Sequence, residues 1–176
     1  MRQKKLLLAA FLGLAGFSCS PEKQDYLVKI QENQPDPIGY LEGYVNASGD
    51  TVAPLGKYAF CLTDTVRTLG FVVKQGGGCA AIDPTGKELF DVFWYDNGPD
   101  PVSEGLFRIQ KGGKIGYADE QGQIVIAPQF ECAGPFEDGK ARVAYSCTLI
   151  PDGEHTIAES ASWIFIDKKG KKINHL

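Results

Sequence analysis

Three carboxylates in one short segment have the clearest potential for acid-base chemistry. Asp96, Asp100 and Glu104 lie within a few residues of one another. Hydrolysis by a general acid and base needs at least two titratable groups that converge in a cleft. The two histidines of the chain, His155 and His175, are distant from these acids in sequence. We therefore expect no catalytic residue and no enzymatic activity, with a hydrolase or carbohydrate-active protein that uses the acidic loop as the alternative.

The same segment carries oxygen atoms of the kind that bind Ca²⁺. Asp96, Asn97 and Asp100 place three oxygen-bearing side chains in five positions, but no bidentate glutamate follows at the spacing of an EF-hand loop. Pro99 and Pro101 favour a rigid polar turn instead. Two histidines are also too few for a histidine-rich metal site. We expect no bound metal and no cofactor.

Trp94 and Tyr95 are the candidate binding residues, because rigid aromatic side chains make strong recognition anchors. Successive residues of a strand point to opposite faces, so Phe93-Trp94-Tyr95 presents aromatic side chains on both sides. The alternative is that these residues, like Trp163, pack in the core or against a neighbouring strand.

The composition excludes one class of partner and indicates a folded chain. The 176 residues include 18 Lys and Arg and 22 Asp and Glu, a net charge of −4. The basic excess that nucleic-acid binding requires is absent, so we expect no nucleic acid partner. The 21 Gly and 10 Pro exceed average usage but stay below the levels of collagen or low-complexity chains. A folded domain with many turns follows.

The first segment resembles the signal of a bacterial lipoprotein. Three basic residues precede an apolar run, residues 6–17, that is too short to span a bilayer as a helix. The run ends in Gly16-Phe17-Ser18-Cys19, which is similar to a loose lipobox of the Bacteroidetes type. This resemblance implies cleavage after Ser18 and lipidation of Cys19. The alternative is an ordinary cysteine beside a plain cleavage site.

This interpretation divides the chain into three parts. They are a signal peptide over residues 1–18, a lipidated N-terminus and tether over residues 19–37, and a repeat domain over residues 38–176. Residues 26–30 are predicted as an edge strand within the second part. The lipid would anchor the protein to a membrane of the bacterial cell envelope, with the outer membrane favoured over the inner one.

Two sequence markers recur with nearly the same period. The first is [Asn/Asp]-x-x-Gly, whose four glycines are 37, 36 and 48 residues apart. The second is a glycine that opens a β-rich run, at Gly70, Gly105 and Gly139, with spacings of 35 and 34 residues. Two independent markers with one period indicate a structural repeat of about 35 residues.

The third copy indicates what the repeat unit is. Short β-rich runs, residues 114–118 and 123–127, flank the turn Asp119–Gly122. Asp bonds its own downstream amides in such turns, and Gly accepts the positive φ that they require. Outside the signal, no window of ten residues has apolar positions at helical spacing. We predict an all-β fold of three to four antiparallel hairpin units, with an open stack or meander favoured over a closed barrel.

Residues 112–143 are similar to a WG repeat. The motifs that carry the similarity are Gly116-Tyr117, Asp119-x-x-Gly122, Val125-Ile126-x-Pro128-x-Phe130 and Phe136-x-x-Gly139-x-Ala141-x-Val143. The other copies are weaker. WG-repeat proteins are abundant in bacterial envelopes and generally lack an assigned enzymatic activity. The resemblance implies a binding or scaffolding module whose partner is an envelope protein or a glycan, and it leaves the ligand open.

The four cysteines beyond Cys19 are even in number, which indicates disulfides in an oxidising compartment. Cys61 and Cys132 follow the first marker at similar distances, and Cys79 and Cys147 follow the second. Repeat symmetry therefore favours the pairs Cys61–Cys79 and Cys132–Cys147. Buried free thiols are the alternative.

Overall fold

The computed structural model describes residues 26–33, 39–153 and 155–174. Over these residues the chain forms strands, turns and bends, all strand pairs are antiparallel, and no sheet closes on itself. The predicted all-β class and the open arrangement of hairpins are confirmed. Within the same ranges there is no apolar helix of membrane-spanning length. The segment predicted as a signal peptide, residues 1–18, lies outside the described residues, as do Cys19 and His175.

The strands are short and are numbered along the chain. The first ten are β1 (Leu27–Asn33), β2 (Tyr40–Asn46), β3 (Thr51–Ala53), β4 (Tyr58–Cys61), β5 (Thr65–Val66), β6 (Gly70–Lys74), β7 (Cys79–Ile82), β8 (Glu88–Val92), β9 (Trp94–Tyr95) and β10 (Gly98–Pro99). The others are β11 (Leu106–Lys111), β12 (Lys114–Asp119), β13 (Ile124–Phe130), β14 (Cys132–Glu137), β15 (Lys140–Ala144), β16 (Thr148–Asp152), β17 (His155–Glu159), β18 (Ile164–Asp167) and β19 (Lys172–Ile173).

Hydrogen bonding groups these strands into three sheets and two ribbons. The sheets have the orders β3-β2-β1-β5, β13-β12-β11-β8-β7-β6-β4 and β14-β15-β18-β19, and the ribbons are β9-β10 and β16-β17. The segment expected to form an edge strand lies in β1. This strand pairs with β2 along its whole length and with β5 at Leu27 and Val28, so its first part is an inner strand.

Four turns with the same structure each join the two strands of a hairpin, at the positions that the [Asn/Asp]-x-x-Gly marker predicts. At Asp119, the side-chain Oδ1 accepts hydrogen bonds from the backbone N of Gln121 at 3.0 Å and of Gln123 at 2.8 Å. Gly122 closes the turn with a φ of 80°, in the region that glycine favours. The same pair of bonds occurs at the three other turns, which begin at Asn46, Asp83 and Asp167.

The first and third repeat units each contribute strands to two sheets. In the third unit, β12 and β13 belong to the seven-stranded sheet, whereas β14 and β15 belong to the next sheet, where β15 pairs with β18 of the fourth unit. In the same way, the last strand of one unit pairs with the first strand of the next at β6 and β7 and at β11 and β12. Because neighbouring units share a sheet, each unit completes the apolar face of the next.

The connections at these junctions differ in length. Residues 75–78 connect β6 to β7, and Gly112-Gly113 connects β11 to β12. Between β15 and β18, however, the chain makes an excursion over residues 145–163 that contains the ribbon β16-β17. This insertion accounts for the wider spacing between the third and fourth turns.

Two buried tyrosines anchor the connections that follow the hairpins. The hydroxyl of Tyr117 donates to the backbone oxygen of Gly134 at 2.7 Å, and that of Tyr44 donates to the backbone oxygen of Thr63 at 2.6 Å. Burial raises the pKa of both phenols, which keeps them as neutral donors. The Gly-Tyr motif of the first and third units therefore combines core packing with a fixed hydrogen bond.

The Cys132–Cys147 disulfide is present, with the two Cα atoms 6.1 Å apart, but Cys61 and Cys79 are buried free thiols. The predicted Cys61–Cys79 bond is therefore wrong. Burial raises the pKa of both thiols to about 11.

Strand geometry explains this error. Cys61 pairs with Val72 of β6, whereas Cys79 pairs with Val73 on the other side of the same strand. Adjacent residues of a strand point to opposite faces. Cys61 consequently packs with Val72 in one core cluster and Cys79 packs with Val92 in another. The two cysteines are also two strands apart, about 10 Å, which exceeds the Cα separation of a disulfide.

Candidate binding surface

Trp94 and Tyr95, the predicted binding aromatics, form β9 of a short ribbon outside the three sheets. Tyr95 pairs with Gly98 and Trp94 pairs with Pro99 across a tight turn. The turn contains Asp96 with a φ of 54°. Trp94 is 39 % exposed and Tyr95 is 55 % exposed, so both side chains reach solvent.

A buried ion pair lies next to this ribbon. Oδ1 of Asp100 accepts hydrogen bonds from Nε of Arg108, at 3.0 Å, and from Nη2, and Oδ2 accepts one from the backbone N of Arg108 at 2.7 Å. Nη1 of Arg108 donates to the backbone oxygen of Ala133 at 3.0 Å. The guanidinium is thus held by charge-assisted bonds from two segments of the chain.

Aromatic rings contact this guanidinium as well. The Arg108 Cζ lies 4.3 Å from the ring centroid of Phe93 and 5.3 Å from that of Tyr95, within the range of cation-π interaction. Arg108 therefore links the buried carboxylate to the exposed ribbon through its contact with the ring of Tyr95. An adjoining cavity of about 320 Å³ is lined by Tyr95, Asp100, Pro101, Val102, Ser103, Arg108 and Pro135.

The three acids of the sequence pattern engage different partners. Asp96 accepts from the side chain of Asn97 at 3.2 Å at the ribbon turn, and Asp100 is paired with Arg108. Glu104 forms an ion pair with Lys168 at 3.0 Å, and this hydrogen-bonded partner lowers the pKa of the Glu104 carboxyl. Across the described ranges, no three His, Cys, Asp or Glu side chains are grouped so that they could hold a metal ion.

A second arginine stacks on an aromatic ring in the third unit. The Cζ of Arg142, an exposed residue of β15, lies 4.1 Å from the ring centroid of Trp163, which immediately precedes β18. A groove of about 650 Å³ lies beside them and is lined by Arg142, Thr148, Ile150, Ala158, Glu159, Ser160, Ala161 and Trp163. A smaller cleft of about 260 Å³ is lined by the same two side chains together with residues 132–134 of β14.

The ribbon β16-β17 forms one wall of this groove, and two contacts hold the end at which its strands begin and finish. The Cys132–Cys147 disulfide joins it to β14, and the hydroxyl of Ser160 donates to the backbone oxygen of Ser146 at 2.7 Å. Leu149 is 64 % exposed and Ile157 is 49 % exposed, so the ribbon presents apolar side chains to solvent.

Sequence reasoning missed both arginines as parts of a site. The available signal was their equal position in the repeat, because each follows a marker glycine, Gly105 or Gly139, by three residues. No comparable signal in the sequence identifies the groups that bind Arg108. Asp100 is eight residues from Arg108 and Ala133 is 25 residues away, and only the fold brings them together.

The fold and this surface define an antiparallel β-repeat protein in which Arg108 and Arg142, at equivalent repeat positions, each stack on aromatic rings. Residues 115–145 match the family model of the WG containing repeat. The match covers β12 to β15 and confirms the WG resemblance for the third unit. No curated protein and no solved structure matches the chain.

Proposed function

We propose that this protein is a lipid-anchored component of the bacterial cell envelope whose β repeats act as a non-enzymatic binding or scaffolding module. The partner is an envelope protein or a glycan. The WG repeat at residues 115–145 and the net charge of −4 are consistent with this role. The lipobox-like segment that ends at Cys19 supports the anchoring.

One observation carries the binding role. Trp94 and Tyr95 stay exposed on a ribbon of their own, although most large aromatic side chains of the domain are buried or partly buried. Arg108 stacks on Tyr95 and is itself fixed by Asp100. A pre-organised aromatic pair loses little conformational entropy on binding, which favours it as an anchor.

The test is a crosslinking pull-down from intact cells with the full chain. Wild type is compared with a Trp94→Ala, Tyr95→Ala double variant whose thermal stability is unchanged. A matched control is Tyr40→Ala, Phe60→Ala, which removes two aromatic residues that are 43 % and 50 % exposed on other strands. We expect a partner that is lost only with the first variant. A partner retained by all three proteins, or none with any, would contradict the assigned surface.

Lipid anchoring is tested separately by metabolic labelling with a palmitate analogue. Cys19→Ala should abolish both the label and membrane fractionation. Cys79→Ala, which changes a buried cysteine of the fold, should retain both. Persistent label on Cys19→Ala would contradict the lipidation of Cys19.

A further inference from the structure

Arg108 and Arg142 occupy equivalent repeat positions, but Arg108 is buried and Arg142 is exposed. Arg108 and Arg142 are 34 residues apart, and so are Asp100 and Gly134, each of which precedes a proline. The carboxylate that neutralises Arg108 in the second unit is therefore replaced by a glycine in the third.

Arg142 consequently retains hydrogen-bonding capacity that Arg108 has used. Among the described residues, no acidic side chain lies within 4.0 Å of its guanidinium nitrogens. The Trp163 ring at 4.1 Å orients the guanidinium without using its N–H groups in the ring plane. A stacked arginine with free donors is a ready receptor for a planar carboxylate.

A cleft lies beside Gly134, the residue that takes the place of Asp100. Its volume is about 260 Å³ and it is lined by Cys132, Ala133, Gly134, Arg142, Ala158 and Trp163, with no acidic residue among them. Glu159 lines the wider groove but not this cleft, and its carboxylate disfavours an anion in the groove. A ligand carboxylate therefore has its most favourable position above Gly134.

We propose that Arg142 and Trp163 bind an aspartate or glutamate side chain carried by an extended peptide segment of a partner protein. The equivalent site in the second unit, where Asp100 binds Arg108, is the template for this ligand. There the carboxylate belongs to Asp100, which follows the strand residues Gly98 and Pro99 and precedes Pro101. The proposal rests on the binding role proposed above, but it involves neither Trp94 nor Tyr95.

The probe is an N-acetylated, C-amidated peptide Gly-Pro-Asp-Pro-Val, which copies residues 98–102 of this chain. It is titrated into the full chain while the Arg142 side-chain N–H and Trp163 indole signals are followed by NMR. The same peptide with Asn in place of Asp is the reference, and glucuronate is a second titrant.

Two variants test the site from opposite directions. Arg142→Ala removes the receptor. Gly134→Asp supplies an internal carboxylate, and the position tolerates it, because a Cβ there meets its nearest atom, the oxygen of Arg142, at an ordinary 3.6 Å. Arg67→Ala is the control, since Arg67 also stacks on an aromatic ring, that of Tyr26 at 4.9 Å.

We expect saturable shifts with the aspartate peptide on wild type and on Arg67→Ala, and an affinity at least tenfold lower for the asparagine peptide, for Arg142→Ala and for Gly134→Asp. Equal shifts on wild type and Arg142→Ala, or none on either, would overturn the proposal. Saturation by glucuronate but not by the peptide would overturn the peptide occupant in favour of an acidic glycan. None of these outcomes depends on the pull-down with the Trp94 and Tyr95 variant.

Discussion

At Gly116 the facing strand approaches so closely that no side chain fits. A Cβ at this position would overlap the backbone of residues 126–128, where β13 bends. Gly116→Ala should therefore lower the free energy of unfolding by about 2 kcal/mol or more, because overpacking forces backbone shifts. Urea unfolding followed by circular dichroism measures the change.

Gly98 provides the matched control for this substitution. A Cβ at Gly98 meets nothing within 4 Å, and its φ is not positive. Gly98→Ala should leave the urea midpoint nearly unchanged. Equal effects at both glycines would show that the close approach at Gly116 is not what selects glycine there.

The Asp100–Arg108 pair should dominate the stability of the binding surface. Asp100→Ala leaves a buried guanidinium without its carboxylate, and breaking a buried pair in this way costs about 3–5 kcal/mol. Chemical denaturation measures the loss. Glu104→Ala removes the more exposed ion pair to Lys168, which solvent screens, so it should destabilise the protein much less than Asp100→Ala. A smaller loss for Asp100→Ala than for Glu104→Ala would contradict the assigned burial.

The free thiols should be unreactive in the native protein. Cys61 and Cys79 are buried, and burial raises their pKa from about 9 to about 11, so little thiolate forms at pH 8. Iodoacetamide should label them only after unfolding, as peptide mass spectrometry would show. Their contribution to stability is complete below pH 9 and declines as the pH rises towards 11, because the unfolded chain ionises first. Rapid native labelling would contradict the structure.

At the scale of the element, each of the four turns depends on one side-chain oxygen atom, which accepts two hydrogen bonds from the backbone. Asp119→Ala removes two hydrogen bonds to backbone N–H groups, so unfolding should become easier by about 1–2 kcal/mol. The urea midpoint reports the change. Glu120→Ala, in the same turn, leaves both bonds in place and serves as the control. If the two variants were equally stable, the side-chain bonds would not be what holds the turn.

The hairpins were predictable because their determinants are local. An Asx turn is specified within five consecutive residues, and the strands beside it alternate in ways that the sequence displays. The ribbon β16-β17 was not predicted, although its spacing marked an insertion. Apolar residues of this ribbon, such as Leu149 and Ile157, are exposed. The segment therefore lacks the alternation of buried apolar and exposed polar residues by which a strand is recognised in a sequence.

At the scale of the whole molecule, one disulfide constrains the insertion. Cys132 and Cys147 are 15 residues apart, and a loop of that length is worth about 3 kcal/mol in the chain-entropy model. Reduction should lower the free energy of unfolding by about this amount, and a Cys132→Ala, Cys147→Ala variant should match the reduced protein. Non-reducing peptide mapping should return the 132–147 link. A link from Cys61 to Cys79 would contradict the strand register.

The sequence by itself determined the all-β class, the repeat period and the four turns, because each depends on residues close together in the chain. Only the tertiary structure decided that Cys61 and Cys79 lie on opposite faces of β6. It also decided that Arg108 pairs with Asp100, whereas no acidic side chain that the structure describes pairs with Arg142. These outcomes depend on strand register and on contacts between units, and a repeat pattern fixes neither.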